Sequence, residues 1–178
     1  MQLIKEKLLS FYINRLLKSS KRARWNVGYQ QAKTIGILYT REDPQKEIYI
    51  LQFIDLLAKT GKKIQALEYI PANLAQQETM HKKIPSFVEH EISFLGKSKN
   101  EELTKFMDTC FDYLYHIDLT SNILLDYLLV KCQAKCRIGS FNINRATCFE
   151  VMVSFEAKPD TPALKSLTKH LLYYTQLL

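Results

Sequence analysis

The chain has 178 residues, of which 47% are hydrophobic and 24% charged, and a formal net charge of +7. This length suits one domain that buries a core without disulfide staples, and no run of 18 apolar residues is present to read as a transmembrane span. The charge is unevenly spread: residues 1–24 carry Lys5, Lys7, Arg15, Lys18, Lys21, Arg22 and Arg24 against Glu6, while the rest carries 18 basic and 17 acidic side chains. The body is therefore nearly neutral, and any anionic partner is to be sought at the N-terminal arm. Cys110, Cys132, Cys136 and Cys148 follow an N-terminus broken up by Lys5, Glu6, Lys7 and Arg15, which does not read as a secretory leader. The expectation is free thiols in a reducing cytoplasm.

Residues 3–20 repeat apolar side chains at helical spacing. Ile4, Leu8, Phe11, Tyr12, Leu16 and Leu17 are expected on one broad face, with Glu6, Lys7, Asn14 and Lys18 opposite. Such a helix can dock on the domain. With the basic run behind it, it can also contact an anionic surface, either lipid headgroups or RNA. We divide the chain here: 1–30 is the arm and its linker, including Trp25 and Tyr29, and 31–178 is a single α/β domain.

Ala32–Tyr39 reads as the first strand, apolar nearly throughout as a central parallel strand should be. The turn after it, Thr40-Arg41-Glu42-Asp43-Pro44, has no glycine and two acids, so it lacks both the dinucleotide and the P-loop signatures. A helix over Lys46–Lys59 closes at Gly61, and a second strand over Lys63–Ile70 stops at Pro71. Residues 72–87, polar and containing His81 and Pro85, read as a short helix and loop. His90–Leu95 reads as a short third strand and Glu101–Met107 as a short helix.

The clearest unit comes next. Phe111–Ile117 is a strand, Asp118 and Thr120 can cap a helix, Asn122–Lys131 is almost wholly apolar, and Cys136–Gly139 begins another strand. A strand, helix and strand so closely spaced form a crossover between parallel neighbours. After a polar loop over Asn142–Ala146 come a last strand at Glu150–Phe155, a turn at Lys158–Asp160, and a helix started by Thr161 and Pro162 that runs to Leu178. Its seam is Leu164, Leu167, Leu171, Tyr174 and Leu178. This order predicts a three-layer α/β sandwich with a mostly parallel sheet of five or six strands and an N-terminal amphipathic helix.

In open parallel sheets, ligands gather beyond the carboxyl ends of the strands. Those ends hold Arg41, Glu42 and Asp43, then Lys97 and Ser98, then His116 and Asp118, then Ser140, Asn142 and Asn144. His116-x-Asp118 is the most suggestive pair, because a carboxylate beside an imidazole fixes its tautomer and raises its basicity. With Arg41 it makes the candidate catalytic set, although Asp118 reads equally well as a helix cap. Cys132-x-x-x-Cys136 is the one close cysteine pair, and zinc needs four convergent ligands. Buried cysteines otherwise pack as small apolar residues, and neither a metal nor a cofactor is expected. His90 and His170 have no acid or thiol at helical metal spacing.

Phe106-Met107-Asp108, Phe111-Asp112-Tyr113-Leu114, Ala134-Lys135-Cys136-Arg137-Ile138-Gly139 and the strand Glu150–Phe155 before a terminal helix carry a resemblance. Together with the basic N-terminal helix and the strand at Ile35–Leu38, they resemble an uncharacterised family of small α/β proteins from Bacteroidetes. In that family a phrase like fLDxxFDLLI precedes a helix and SKAKFKVG. The resemblance implies fold and length but no activity. This chain departs from it at Tyr115-His116, where the family has small or hydroxyl residues. The apolar strand ending in Asp118, the helix after it and Ala134–Gly139 also look like the acceptor half of heptosyltransferase-type glycosyltransferases, which require a second domain for the donor.

The reading that results is a cytoplasmic, membrane-peripheral, non-catalytic α/β binding or adaptor protein. Its contact arm is Lys5, Lys7, Arg15, Lys18, Lys21, Arg22 and Arg24, facing an anionic membrane or RNA. A protein partner, and self-association through the 164–178 seam, are further expected contacts. The alternative is a small nucleotide- or sugar-nucleotide-binding enzyme working at Arg41, His116 and Asp118.

Overall fold

The computed structural model describes residues 2–19, 27–74, 84–92, 98–156 and 162–178. Trp25, His81, Phe94, Lys97, the Lys158–Asp160 turn and the Thr161 cap lie outside these. Six strands form one sheet in which every pairing is parallel. They are β1 (Thr34–Thr40), β2 (Lys63–Ile70), β3 (Ser86–Val88), β4 (Phe111–His116), β5 (Ala134–Ser140) and β6 (Val151–Val153). Their order across the sheet is 3-2-1-4-5-6. This is the order of doubly wound folds, in which the chain moves outward from the centre first to one side and then to the other.

That reversal decides where the helices go. Right-handed crossovers on opposite sides of the centre put their helices on opposite faces. Accordingly α2 (Pro44–Ala58), between β1 and β2, packs with α5 (Ala163–Gln176) on one face. On the other face lie α4 (Ile123–Lys131), between β4 and β5, together with α3 (Glu101–Asp108) and α1 (Gln2–Ser19). The strands supply both cores by simple alternation. Ile35, Ile37 and Tyr39 join the α2/α5 core, with Tyr113, Tyr115 and Ile117 beside them. Leu38, Phe111 and Leu114 join the other. Burial on both faces is why β1 and β4 read as continuous apolar runs. Gly36 belongs to the same packing, since a Cβ there would stand 2.8 Å from Leu114 Cδ1.

The link from β5 to β6 has no α-helix. A six-residue 3-10 helix, Ile143–Cys148, makes the crossover instead, and it packs on α4.

Three expected elements moved. The third strand, expected at His90–Leu95, is Ser86–Val88. His90 lies in a 3-10 turn, Glu89–Glu91, and Ile92 makes an isolated antiparallel bridge to Ser98. The strand is anchored by one buried side chain, Phe87, whose ring lies 5.3 Å from Tyr69, and one residue carries too little periodicity to be read. The last strand is shorter than Glu150–Phe155. In α5, Leu164, Leu167 and Leu171 are buried as expected, but Tyr174 and Leu178 reach solvent.

The docked face of α1 is also not the expected one. Leu9 and Ile13 are buried against α4, with Tyr12, Leu16 and Leu17 partly so, and the Tyr12 and Tyr127 rings meet edge to face at 6.5 Å. Ile4 and Phe11 point outward, 72% and 60% exposed. Apolar side chains occur nearly all round this helix, so the partner α4 selects the face that the pattern alone left open. We therefore expect Ile13→Ala to cost about 2 kcal/mol and Phe11→Ala less than about 0.5 kcal/mol in urea denaturation; the reverse ranking would mean that the opposite face docks.

Candidate functional site

The strand order reverses between β1 and β4, and in doubly wound sheets that crevice is where ligands bind. Here the chain fills it with its own charges. Ile117 still runs beside β1, donating from its N–H to Leu38 O at 3.0 Å. The next residue, Asp118, turns its carboxylate inward and is 1% exposed. Its Oδ1 accepts from Thr40 N at 2.9 Å, and its Oδ2 accepts from Thr40 Oγ1 at 2.7 Å. Lys46 Nζ donates to Oδ1 at 2.6 Å and to Glu42 Oε1 at 2.7 Å. Ser140 Oγ at the end of β5 donates to Asp118 O at 3.0 Å. One residue thus ties the ends of β1, β4 and β5 to the first turn of α2.

The first turn of α2 is occupied too. Asp43 accepts from Lys46 N at 2.8 Å as its N-cap. In a phosphate-binding fold this position receives the ligand's anion, and here two protein carboxylates stand there. Asp118 does not cap α4. Asn122 does so, accepting from Leu124 N at 2.9 Å, because the Asp118 carboxylate is already engaged.

His116 is wholly buried behind this pair. Its Nε2 lies 3.4 Å from Asp118 Oδ2 but off line, so no hydrogen bond forms. Its Nδ1 faces Arg145 Nη2 at 3.4 Å. Arg145 can only donate, so Nδ1 is the acceptor and the ring proton sits on Nε2. Burial lowers the His116 pKa to about 4, with Arg145 and Lys46 reinforcing that and Asp118 opposing it. The ring is neutral at physiological pH. Arg145, in the 3-10 crossover, is held by Asp126 of α4 through Nε at 2.7 Å and also through Nη2. Burial raises the Asp126 pKa in spite of this partner.

The structure therefore brings His116 and Asp118 together but not Arg41. The Arg41 guanidinium pairs with Glu68 on β2, and its N–H donates to Tyr69 O at 2.8 Å. A concavity of about 240 Å³ does open at this edge, on the β2 side, lined by Lys5, Tyr69, Glu89 and Asn122 among others. Arg41, His116 and Asp118 do not line it. Asn142 caps the 3-10 helix by accepting from Asn144 N at 3.0 Å.

The cysteines are split by the sheet. Cys132 and Cys148 lie in the core beneath α4 and Cys136 in the core beneath α2, while Cys110 is exposed. The Cys132 and Cys136 thiolates therefore have no common side from which to hold one ion. Burial pushes the Cys136 thiol up to about 12. Among the described residues no group of three His, Cys, Asp or Glu converges as a metal site.

The chain belongs to a family of unknown function, DUF6913. The family profile matches residues 5–177, so it takes in α1 as well as the sheet and α5. No curated protein and no solved structure shows significant similarity to the chain. DUF6913 membership assigns the chain no chemistry.

Of the participants in this network that escaped the sequence reading, two left a signal. Lys46 shares the i, i+4, i+7, i+11 stripe of Ile50, Phe53 and Leu57, and a lysine on an apolar stripe must find a buried partner. Asp126 is the one acid in the otherwise apolar run of α4, with the same implication.

The His116 shift carries a pH dependence. The unfolded chain binds a proton at this residue near pH 6.5 and the folded chain only near pH 4. Between those values the unfolded state holds more protons. Stability is therefore fully present above about pH 6.5 and falls as the pH is lowered, by up to about 3 kcal/mol. Asp112 does not intrude. Burial pushes its pKa up, but hydrogen bonds from Lys135 and from the backbone of Lys33 and Thr34 outweigh this and hold it at about 2. Asp126, raised, works in the opposite sense. Urea denaturation across pH 4–6.5 should show a smaller slope for His116→Gln than for the wild type; equal slopes would contradict a neutral buried imidazole.

Proposed function

We propose that this protein is a non-catalytic α/β contact module that lays the outer face of α1 on an anionic membrane surface. The observation that carries this reading is the composition of that face. Ile4, Lys7, Phe11, Arg15 and Lys18 recur at helical spacing and are all exposed, while the opposite face is fixed in the core. Three cations flank two outward apolar side chains, and no acid lies among them. Such a face suits the headgroup boundary, where the cations meet anionic lipid and the apolar side chains enter the acyl region. Lys5 belongs to a different surface, since it donates to Glu89 at 2.5 Å. Lys21, Arg22 and Arg24 follow α1 in sequence but lie outside the described residues; they add to the same positive charge. No helix among the described residues is long and apolar enough to cross a membrane, so the contact proposed is peripheral.

The reading as a nucleotide- or sugar-nucleotide-binding enzyme rests on one observation, the position of His116 and Asp118 where the strand order reverses. It requires the Lys46–Asp118 pair to open for a ligand. A stabilising shift with a nucleotide or sugar nucleotide in a thermal-shift panel would support it.

For the contact module, vesicles containing phosphatidylserine should co-sediment the protein at low salt and release it at high salt. The triple variant Lys7→Glu, Arg15→Glu, Lys18→Glu should bind about 100-fold more weakly, and Phe11→Ser should weaken binding with the charge intact. Binding to single-stranded RNA but not to the vesicles, or vesicle binding that ignores all four substitutions, would overturn the proposal.

A further inference from the structure

We propose that the outer edge of β2, where β3 leaves it uncovered, binds an extended segment of another protein, which joins the sheet as a strand beside Ile64–Leu67. The site uses no residue of α1, so the inference does not depend on the membrane reading.

The first argument is the backbone. In a parallel ladder the N–H and C=O of one residue point to the same side, and successive residues alternate. On β2 the residues that bond to β1 are the odd ones. Lys63 N–H donates to Lys33 O at 2.8 Å, and Tyr69 O accepts from Arg41 N at 2.8 Å. Ile64, Ala66, Glu68 and Ile70 therefore turn their groups to the other side. There β3 pairs with Glu68, Tyr69 and Ile70, and Glu68 N–H donates to Pro85 O at 2.9 Å. One step earlier, Ala66 O would need an N–H from residue 85. That residue is proline and has none. The ladder stops, and among the described residues nothing pairs with Ile64 or Ala66 on this side. Two donors and two acceptors are left, their residues about 6.6 Å apart along the strand. The bonding groups of another extended backbone repeat at that spacing, and such a backbone satisfies all four at once.

The second argument is shape. This edge forms the floor of a groove of about 390 Å³. Ile54 of α2 stands on one side and Phe106 and Thr109 of α3 on the other, with Ile84 and Pro85 at the end where β3 begins. An added strand would send alternate side chains towards the two walls, and these walls suit apolar ones. The charged pair at the rim, Glu102 and Lys105, is already bonded to itself at 2.7 Å. From Ile64 to Leu67 the edge has neither a proline nor a charge of its own to deter pairing. Because helices stand on both sides of it, the equally recessed edge of a second copy cannot reach it. A lone extended segment can.

Hydrogen exchange of the full chain, read amide by amide by NMR, tests the free edge. Ile64 and Ala66 should exchange at least about 100-fold faster than Gln65 and Leu67, which bond to β1. Twelve-residue peptides selected from a random displayed library on the full chain then serve as probes. They should alternate apolar residues, and on binding they should slow exchange at Ile64 and Ala66. N-methylation of a peptide at the alternate residues that face β2 should weaken binding about tenfold or more, and N-methylation at the intervening residues should not. Ala66→Pro removes the outward N–H without touching the bonds to β1, and should weaken binding as much. Slow exchange at Ile64 and Ala66 in the free chain would mean that the chain covers its own edge, and overturns the proposal. So does protection that grows with the concentration of the chain alone, which would place a second copy there. Selected peptides that bind without protecting these two amides, or that tolerate methylation in both registers, overturn it as well.

Discussion

The carboxylate of Asp118 is the point on which the centre of this fold depends. A buried carboxylate is tolerated only where charge and hydrogen bonds replace the water it has lost. Asp118 obtains Lys46 as its counter-ion and both the amide and the hydroxyl of Thr40 as donors. Lys46 in turn is 3% exposed, and Asp118 is its buried counter-ion. Each is therefore the condition for burying the other. The consequence is geometric as well as energetic, because the pair bridges the helix after β1 to the end of β4 across the reversal of strand order. In related topologies that gap is left for a ligand. In this chain it is a joint.

A second joint compensates for a missing helix. The parallel connection from β5 to β6 would ordinarily be covered by an α-helix packing on the sheet. Residues 143–148 are too short for that and offer little apolar surface. Arg145 supplies the attachment instead, reaching across to Asp126 on α4. Phe149 adds packing at the other end of this connection. It fills the space above Gly139, where a Cβ would come within 2.5 Å of its ring. His116 sits between the two joints with one nitrogen toward each. Its neutrality follows first from burial, which the facing guanidinium reinforces.

Most of the architecture was legible in the residues. The apolar runs of β1 and β4, buried on both faces, could only belong to the middle of a parallel sheet, and the close spacing of β4, α4 and β5 demanded a crossover. The glycine-free, acidic turn after β1 already argued against a phosphate cradle, and the structure supplies the reason, in that Asp43 and Asp118 occupy the place. Three things were not legible. The docked face of α1 was hidden because Leu8 with Leu9, Phe11 to Ile13, and Leu16 with Leu17 give apolar neighbours in almost every direction. The strand β3 was hidden because it rests on Phe87 alone. The partners of Asp118 were hidden because Thr40 and Lys46 are more than 70 residues away in the chain, and pairing at that distance is a property of the fold. His116 and Asp118 were correctly read as neighbours in space, although their spacing could not show that Asp118 had already been claimed from the other side.

The charged groups Asp118 with Lys46 and Asp126 with Arg145 thus satisfy one another at the centre of the carboxyl edge, while the basic face of α1 on one layer and the α2/α5 groove on the other face outward. That division of labour rests on the Lys46–Asp118 pair acting as a structural joint. A double-mutant cycle with Lys46→Met and Asp118→Leu, read by urea denaturation, tests it most directly. Removing one partner strands a buried charge, so each single variant should lose about 3–5 kcal/mol. The double variant, with no charge left to strand, should lose less than the sum of the two, by a coupling of about 2 kcal/mol or more. Single losses that are small and additive would contradict the account, and would mean that this crevice is open to water and free to take a ligand.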